Sequence, residues 1–457
     1  MAHGGHCVAR HDGRVIFVRH ALPGETVLAR VTEATQAKFW RADAVEVITA
    51  SPDRVVAPCP LAGPGLCGGC DWQHATLPAQ RELKAAVIVE QLQRLAGLEP
   101  GVDGVPSVLV EAVATSTGID DGLGWRTRVR FTVDHAGRAG LRRHRSHGVI
   151  PVDDCLIADP QISALQIGRQ RWRNAAAIEV IAPVDADPLV VVEAAEHTSA
   201  PAQGRARGAQ SRRGAQLPPA EPAKNDASKL KLPRLPVPAS VATKDTGGVH
   251  QVRGRTWVSE EVQIDGATRP FRISGTGFWQ VHPAAAQTLL DAVLEAADAR
   301  PGERAVDLYG GAGLFAAGLA DRVGVTGTVV AVEADPRATK DARRSLHDLE
   351  QIRFENGPVE RVLPQLSSGP LAGGADVVVL DPPRSGAGRA VIDQIVALKP
   401  RVIVYVACDP AALARDLATA AAAGYRLVGL RAFDLFPMTH HVECVATLVP
   451  INAVPAG

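Results

Sequence analysis

The chain has 457 residues, and its 49 lysines and arginines balance its 49 aspartates and glutamates. That length predicts more than one domain, and a hydrophobic fraction of 46% excludes wholesale disorder. Because no run of 18 apolar residues occurs and the first residues lack the apolar core of a signal peptide, we expect a cytoplasmic protein that binds no membrane. Zero net charge excludes a uniformly cationic protein but leaves room for a local cationic surface.

Three short β-rich stretches open the chain, at Arg14 to Val18, Thr26 to Val31 and Ala42 to Ile48. Strands at this even spacing predict a small barrel of the oligonucleotide-binding type over residues 1–57. The pattern fits any other small β-module equally well.

A cysteine-rich loop follows, CPLAGPGLCGGC, which contains Cys59, Cys67 and Cys70. Cys155 is a distant fourth cysteine. An odd total of seven cysteines in a long chain points to metal ligation or catalysis rather than to a disulfide framework. Four thiolates suit zinc or an iron–sulfur cluster, and the spacing does not choose between them. The loop precedes a predicted helix at 78–98, which we expect to pack on the catalytic domain described below.

Residues 58–270 read as a mixed α+β domain with a concentrated positive charge. Seven arginines and one aspartate within 125–147 give a local charge of +6. Arg126, Arg128 and Arg130 alternate around a predicted strand, so they share one side of it, and we predict that they bind RNA phosphates. The alternative is a solvated face. Residues 196–248 are rich in Ala, Pro, Ser, Gly and Arg, which predicts a disordered insertion.

After Phe271 the hydrophobic pattern becomes regular. Predicted strands alternate with predicted helices, which indicates βαβ units and a mostly parallel sheet over residues 271–457. Ligands bind such sheets at the carboxyl ends of the strands. The predicted strands are Ala305 to Tyr309, Val329 to Glu333, Val377 to Asp381, Val402 to Val406 and Leu427 to Phe433. The predicted helices are Ala284 to Ala297, Leu314 to Ala320, Ala338 to Leu349, Ala390 to Leu398 and Ala411 to Ala423.

Polar residues stand where these predicted strands end. The glycine turn DLYGGAGLF at 307–315 suits a close approach of backbone to a ligand, and Glu333 is placed to accept hydrogen bonds from a ribose. An acidic helix cap before Pro336 is the other interpretation of Glu333. Cys408 in YVACDP is a candidate nucleophile, although a small core residue is the alternative. Glu443 lies in an apolar strand and is either a general base or an edge-strand surface residue.

In order and spacing, DLYGGAGLF, LDPPRSG at 380–386, YVACDPAALARD and DLFPMTHHVE resemble the RNA 5-methyluridine methyltransferase family. The resemblance implies a Rossmann-like class I methyltransferase fold and the cofactor S-adenosylmethionine. With FWQVH at 278–282 it implies a cofactor-binding set of Gln280, Tyr309, Glu333 and the active-site Asp381. It implies Cys408 as the nucleophile and Glu443 as the proton acceptor. The sequence departs from the family pattern at Leu314, Pro358 and Asp409.

The resemblance has further implications outside the catalytic domain. GGHCVAR and FVRHALPGE are similar to the RNA-binding TRAM domain, and Cys59, Cys67, Cys70 and Cys155 match a [4Fe-4S] motif. Relatives with both features act on large-subunit ribosomal RNA, whereas compact relatives act on the T-loop of transfer RNA. We therefore expect a monomeric enzyme for 23S ribosomal RNA, with transfer RNA uridine 54 as the alternative substrate. A non-catalytic RNA-binding assembly factor on the same fold is a second alternative.

Overall fold

The computed structural model describes residues 1–34, 38–115, 121–184, 186–197 and 224–452. In chain order the strands before residue 255 are β1 (Cys7–His11), β2 (Arg14–Arg19), β3 (Thr26–Glu33), β4 (Phe39–Thr49), β5 (Val110–Ala112), β6 (Arg128–Val133), β7 (Ala139–Arg142), β8 (Val149–Pro151), β9 (Ala175–Ile181), β10 (Leu189–Ala194), β11 (Glu196–His197), β12 (Lys224–Asn225), β13 (Ser240–Asp245) and β14 (Gly248–Arg253). The later strands are β15 (Trp257–Ile264), β16 (Ala267–Ser274), β17 (Arg304–Leu308), β18 (Thr328–Glu333), β19 (Ile352–Asn356), β20 (Val377–Leu380), β21 (Val402–Ala407), β22 (Tyr425–Asp434) and β23 (Glu443–Pro450).

The helices are concentrated around the last sheet. They are α1 (Leu77–Gln91), α2 (Pro160–Ala164), α3 (Ala285–Ala297), α4 (Leu314–Val323), α5 (Pro336–Ser345), α6 (Val359–Ser367), α7 (Arg389–Ala397) and α8 (Pro410–Ala422). A π-helical turn at Leu92–Ala96 extends α1, and short 3₁₀ turns lie at Ile167–Arg169 and Ala227–Lys229. Within the described ranges, no helix is long and apolar enough to cross a bilayer.

The first four strands form one sheet in the order β1-β2-β4-β3. Strands β2 and β4 run parallel, and the other two pairs are antiparallel. The small buried core of this sheet consists of Val18, Ala21, Ala42 and Ala44. The three predicted strands are present, and β1 is an additional strand that the sequence pattern did not signal because charged residues follow Ala9.

The central sheet has the order β14-β13-β10-β9-β6-β7-β8. Its composition corrects the prediction of a disordered insertion over 196–248. Residues 198–223 lie outside the described residues, but β13 pairs in parallel with β10, from Leu189 opposite Ser240. Leu230, Leu232, Leu235 and Val237 pack on the buried core of this sheet. These apolar residues offset the ordering entropy of a segment that the prolines made look unstructured.

The C-terminal sheet has the order β19-β18-β17-β20-β21-β23-β22-β5. Strands β19, β18, β17, β20 and β21 are parallel, and β23 is antiparallel to both of its neighbours. Helices cover both faces and bury two large apolar clusters. The predicted α/β class and Rossmann-like sheet are therefore confirmed. Strand order reverses between β17 and β20, and such a switch point opens a crevice at the carboxyl ends of the strands.

Two segments from before residue 115 complete this C-terminal unit. Strand β5 pairs with β22 at the sheet edge, and α1 packs against α8. The Lys84 ammonium of α1 lies 2.5 Å from the Asp434 carboxylate at the end of β22, with both side chains buried. A buried ion pair of this kind fixes the position of α1 on the sheet.

Candidate active site and the cysteine-lined cavity

The parallel strands bring the sequence-predicted residues to one edge of the sheet. Tyr309 follows β17, Glu333 ends β18, Asp381 follows β20 and Cys408 follows β21. The register aligns Leu308 with Leu380 and Leu380 with Tyr405, so the residues after these strands emerge side by side. Prolines at 382, 383 and 410 prevent the strands from continuing.

These side chains surround a single cavity of about 620 Å³. The six residues predicted to act in catalysis or cofactor binding all line it: Gln280, Tyr309, Glu333, Asp381, Cys408 and Glu443. The cavity is large enough for a nucleoside-sized ligand together with a second small group.

The antiparallel pairing of β21 with β23 positions Cys408 beside Glu443. Ala407 lies opposite Cys444, so one further step of the same register puts Cys408 opposite Glu443. Burial and the neighbouring Glu443 and Asp381 carboxyls raise the pKa of the Cys408 thiol to about 12. Burial and Asp381 raise the pKa of Glu443 well above its ordinary value. The prediction that Glu443 lies in an apolar strand is correct. Its interpretation as an edge-strand surface residue is wrong, because Glu443 is buried on β23, which lies between β21 and β22.

Burial also raises the pKa of Asp381 to about 7. Together with Glu443 it forms a crowded acidic wall beside the thiol. These groups favour their neutral forms, because the buried cavity stabilises their negative charges less than water would. Arg384 lines the same cavity and acts against the rise in the pKa values of Glu443 and Cys408.

The glycine turn after β17 is held by Glu333. Its carboxylate accepts hydrogen bonds from the backbone N–H of Gly311, at 2.9 Å, and of Asp335, at 2.6 Å. Asp335, not Glu333, caps α5 by accepting from the N–H of Arg337. Tyr309 has φ of 63°, a left-handed conformation that is uncommon outside glycine and that directs this residue into the cavity.

The three departures from the family pattern have structural roles. Leu314 begins α4 and packs into the apolar core, and Pro358 occupies the N-cap position of α6 without a side-chain hydrogen bond. Asp409 caps α8, since its carboxylate accepts from the N–H of Ala412 at 2.8 Å.

Several cavity residues were not singled out from the sequence. Phe278 is 68% exposed at the cavity, whereas Trp125 is buried in its wall. Phe278 and Arg384 lie within motifs already recognised, FWQVH and LDPPRSG, and Trp125 precedes Arg126. Their position next to candidate residues was the available signal. Phe436 and His441 also line the cavity and were not singled out from the sequence.

Comparison with known proteins identifies the kind of enzyme to which this cavity belongs. A model of the tRNA (uracil-5-)-methyltransferase family matches residues 373–450, which include Asp381, Cys408 and Glu443. A protein of Streptomyces avermitilis, described as an uncharacterized RNA methyltransferase, is 49% identical over 98% of this chain and 96% of its own length. Another RNA methyltransferase, from Gloeobacter violaceus, is 33% identical over 98% of this chain and 94% of its own length. The chain belongs to the RNA (uracil-5-)-methyltransferase family.

The fold of this methyltransferase agrees with a solved structure. The tRNA (uracil-54, C5)-methyltransferase of Pyrococcus abyssi, in complex with S-adenosyl-L-homocysteine, has a TM-score of 0.63 and 22% identity. The match covers 97% of this chain and 99% of that one.

A second cavity of about 470 Å³ adjoins the active site of the methyltransferase. Cys59, Cys67, Cys70 and Cys155 all line it, and Gly69 and Arg126 line both cavities. Burial raises the pKa of Cys70 to about 12 and that of Cys155 to about 11. In the described part of the chain, no three Cys, His, Asp or Glu side chains are arranged to hold a single metal ion. The other ionisable lining residues are Arg126, Arg130, Arg142, Arg143, His144, Arg145 and Asp154.

The three arginines of the predicted RNA surface have different surroundings. Arg126 lies between the two cavities, and its Nε donates to the carbonyl of Arg128 at 3.0 Å. Arg128 is only 13% exposed, lies 3.2 Å from Glu179 and donates to the carbonyl of Gly277. Arg130 is 50% exposed and pairs with Glu193 at 2.9 Å. Arg128 and Arg130 share one face of β6, as predicted from the alternation, but Arg128 faces protein.

Proposed function

We propose that the chain is an S-adenosylmethionine-dependent methyltransferase that methylates carbon 5 of a uridine in RNA through a covalent bond to Cys408. The observation that carries this proposal is the juxtaposition of Cys408 and Glu443, on paired strands, in a cavity lined also by Gln280, Tyr309 and Asp381. Bound S-adenosylmethionine supplies an electrophilic methyl group on its sulfonium.

Carbon 5 of uracil is a poor nucleophile and needs activation. The Cys408 thiolate adds to carbon 6, and the electrons of the 5,6 double bond move onto the ring as an enolate. Carbon 5 would then attack the methyl carbon of bound S-adenosylmethionine: the bond from that carbon to the sulfonium sulfur would break as the new carbon–carbon bond forms, and S-adenosylhomocysteine would leave. Glu443 removes the proton from carbon 5, the double bond re-forms, and the thiolate leaves. Because burial raises the pKa of Glu443, its carboxylate, once ionised, is a stronger base than an exposed one would be.

Asp381 is positioned to orient the pyrimidine rather than to exchange protons with carbon 5. It follows β20, next to the strand that carries Cys408, and lines the same cavity. A carboxyl there accepts a hydrogen bond from N3–H of uracil when ionised. A target in a folded RNA has to be flipped out to reach this depth, and Phe278 offers an exposed aromatic face at the cavity.

The polar groups at the sheet edge also suit the cofactor. Gly311 N–H and the carboxylate of Glu333 meet at the end of β17 and β18, where a ribose and an amino acid are bound in folds of this type. Gln280 and Tyr309 line the same end of the cavity. The cavity is complete within one chain, which supports action as a monomer.

The proposal is tested by incubating the full chain with methyl-labelled S-adenosylmethionine and with ribosomal or transfer RNA that lacks modifications. We expect 5-methyluridine in digested RNA, with 23S ribosomal RNA the preferred substrate. Cys408→Ala should abolish transfer while RNA binding persists. Label in another nucleoside, or transfer by Cys408→Ala, would refute the mechanism; preference for the T-loop of transfer RNA would support the alternative substrate. Cofactor binding without transfer to any RNA would support the non-catalytic alternative.

We propose that Cys59, Cys67, Cys70 and Cys155 hold a [4Fe-4S] cluster. The four thiols line one cavity although Cys155 is 85 residues from Cys70 in sequence, a separation that only the fold removes. A zinc ion with four thiolate ligands is the alternative occupant. A larger group fits the cavity, and the arginines around it offset the negative charge of four thiolates.

Anaerobically purified protein should absorb in the visible range and contain iron and sulfide in equal amounts. Cys70→Ala should lose both signals, whereas Cys7→Ala should keep them because the Cys7 thiol donates to the carbonyl of Ala21 instead. Zinc in place of iron, or an unchanged spectrum in Cys70→Ala, would contradict the assignment.

We also propose three domains: a TRAM-like RNA-binding barrel at 1–57, a central domain at 58–270 and the methyltransferase domain at 271–457. The separate sheets formed by β1 to β4, by β6 to β10 with β13 and β14, and by β17 to β23 support this division. Helix α1 and β5 are exceptions, since they pack with the third unit.

A further inference from the structure

A third, smaller cavity also borders the nucleophile. It measures about 150 Å³, and Cys408 lines both this cavity and the main one. One of its walls is the start of the chain, His3 to Gly5, and the others come from α1, from Arg384 and from the segment His440 to Val442. The first residues of the chain therefore reach the reverse side of the loop that carries the nucleophile.

The contact between these segments is specific. His3 Nε2 lies 3.1 Å from Asp409 Oδ2, while the other oxygen of Asp409 accepts from Ala412 N–H at the start of α8. The carboxylate next to Cys408 is thus held from two sides. Gly5 contributes a second contact, since its carbonyl accepts from the indole N–H of Trp72 at 3.2 Å.

Asp409 places a negative charge next to the Cys408 thiol, and a protonated His3 offsets that charge. The Cys408 thiol already faces Glu443 and Asp381, with Arg384 opposing them, and Asp409 adds a further negative charge. Each of these carboxylates disfavours the thiolate. An asparagine at this position would cap α8 without adding charge.

His3 is able to carry the compensating charge. Its hydrogen bond and attraction to Asp409 raise its pKa above the ordinary value, against the effect of partial burial. The other charged groups that face it are Arg415, which opposes protonation, and Glu90, which favours it. The imidazole is 39% exposed, so it exchanges protons with solvent.

We propose that His3 is a positioning residue for the nucleophile: by pairing with Asp409 it holds the Cys408 loop and offsets the negative charge beside the sulfur. Formation of the thiolate then depends on a residue of the N-terminal segment, more than 400 residues away in sequence. This inference rests on the proposed function for the importance of the thiolate, but not for the effect of His3 on the sulfur.

The direct test measures how fast iodoacetamide alkylates Cys408 in the full chain, by peptide mass spectrometry, from about pH 6 to about pH 9. His3→Ala and His3→Gln should both slow alkylation by about two- to fivefold at the acidic end, where His3 carries its proton. The ratio of wild-type to variant rate should approach one as pH rises through the pKa of His3. A purely structural contact would give a ratio that does not vary with pH.

Two matched controls complete the test. His11→Ala should leave the rate unchanged, because His11 is 72% exposed and pairs with Asp12. In an Asp409→Asn background, His3→Ala should have no effect, since the charge that His3 offsets is gone. An equal effect of His3→Ala in both backgrounds, or wild-type rates in both His3 variants, would overturn the inference and leave the proposed function intact. Methyl transfer by Cys408→Ala would overturn the proposed function, while the alkylation rates would still decide the role of His3.

Discussion

The two large cavities of this methyltransferase share Gly69 and Arg126 in their walls, yet they differ in the number of arginines that line them beside buried thiols and acids. In the active-site cavity, burial keeps the acids and the thiol near their neutral forms, with Arg384 as an opposing cation. In the cysteine-lined cavity, a set of arginines surrounds the thiols. The first arrangement suits groups that exchange protons during a reaction, and the second suits a permanent negative group.

The largest expected effect tests the proton-exchanging side of this comparison. Glu443→Gln keeps the shape of the side chain but cannot accept the carbon 5 proton, so turnover should fall by about 10²–10⁴-fold. Because elimination requires that proton to leave, the covalent RNA adduct should accumulate. A denaturing gel with labelled RNA measures it, and the exposed Glu261→Gln serves as the control. Normal turnover without an adduct would assign the base to another residue.

A smaller effect is expected for Asp381→Asn, which tests how strongly burial disfavours the ionised Asp381 carboxyl in the active-site cavity. The pKa of Asp381 is raised to about 7 in the folded chain, so its ionisation disfavours folding as pH rises from about 4 to about 7. Asp381→Asn should therefore stabilise the protein by about 1–2 kcal/mol at alkaline pH. The gain should disappear as pH falls toward 4, where the carboxyl is neutral in both states.

Denaturant unfolding at both pH values checks this prediction. Asp187→Asn, on the surface, is the matched control and should show no such pH dependence. If Asp381→Asn were equally destabilising at both pH values, the acid would be satisfied by partners in the fold, and the cavity would not be suppressing its charge.

The sequence could predict some of these residues and their surroundings but not others. The positions of Glu333, Asp381 and Cys408 at predicted strand ends were visible in the sequence, because parallel strands bring their carboxyl ends to one edge. The roles of Tyr309 and Gln280 followed from the family resemblance. Asp381 stands next to Pro382, and Cys408 lies two residues before Pro410. The surroundings of Arg128 were not predictable, since Glu179 and Gly277 reach it from distant segments. The contact of His3 with Asp409 was not predictable for the same reason.

The sequence analysis failed to predict that residues 224–248 are ordered for a different reason: it averaged the composition over a long segment. Composition over 196–248 is dominated by the residues before 224, and it hides the apolar Leu230, Leu232, Leu235 and Val237. Composition judges a segment by its mean, whereas packing depends on where a few side chains fall. A shorter window would have separated the two parts.

The smallest expected effect concerns Arg126, Arg128 and Arg130, which the sequence predicts to bind RNA phosphates. Arg126 and Arg130 are open to the cavities or to solvent, whereas Arg128 is enclosed by Glu179 and Gly277. Each phosphate contact that is lost lowers the salt dependence of RNA binding by about one unit of log–log slope. Arg126→Ala and Arg130→Ala should each reduce the slope by that amount, as measured by filter binding at several salt concentrations. Arg128→Met should leave the slope unchanged and lower stability instead, because it leaves Glu179 without its nearest cation. A reduced slope in Arg128→Met alone would mean that RNA binding opens the contact of β6 with Gly277, and that the two cavities move apart when substrate arrives.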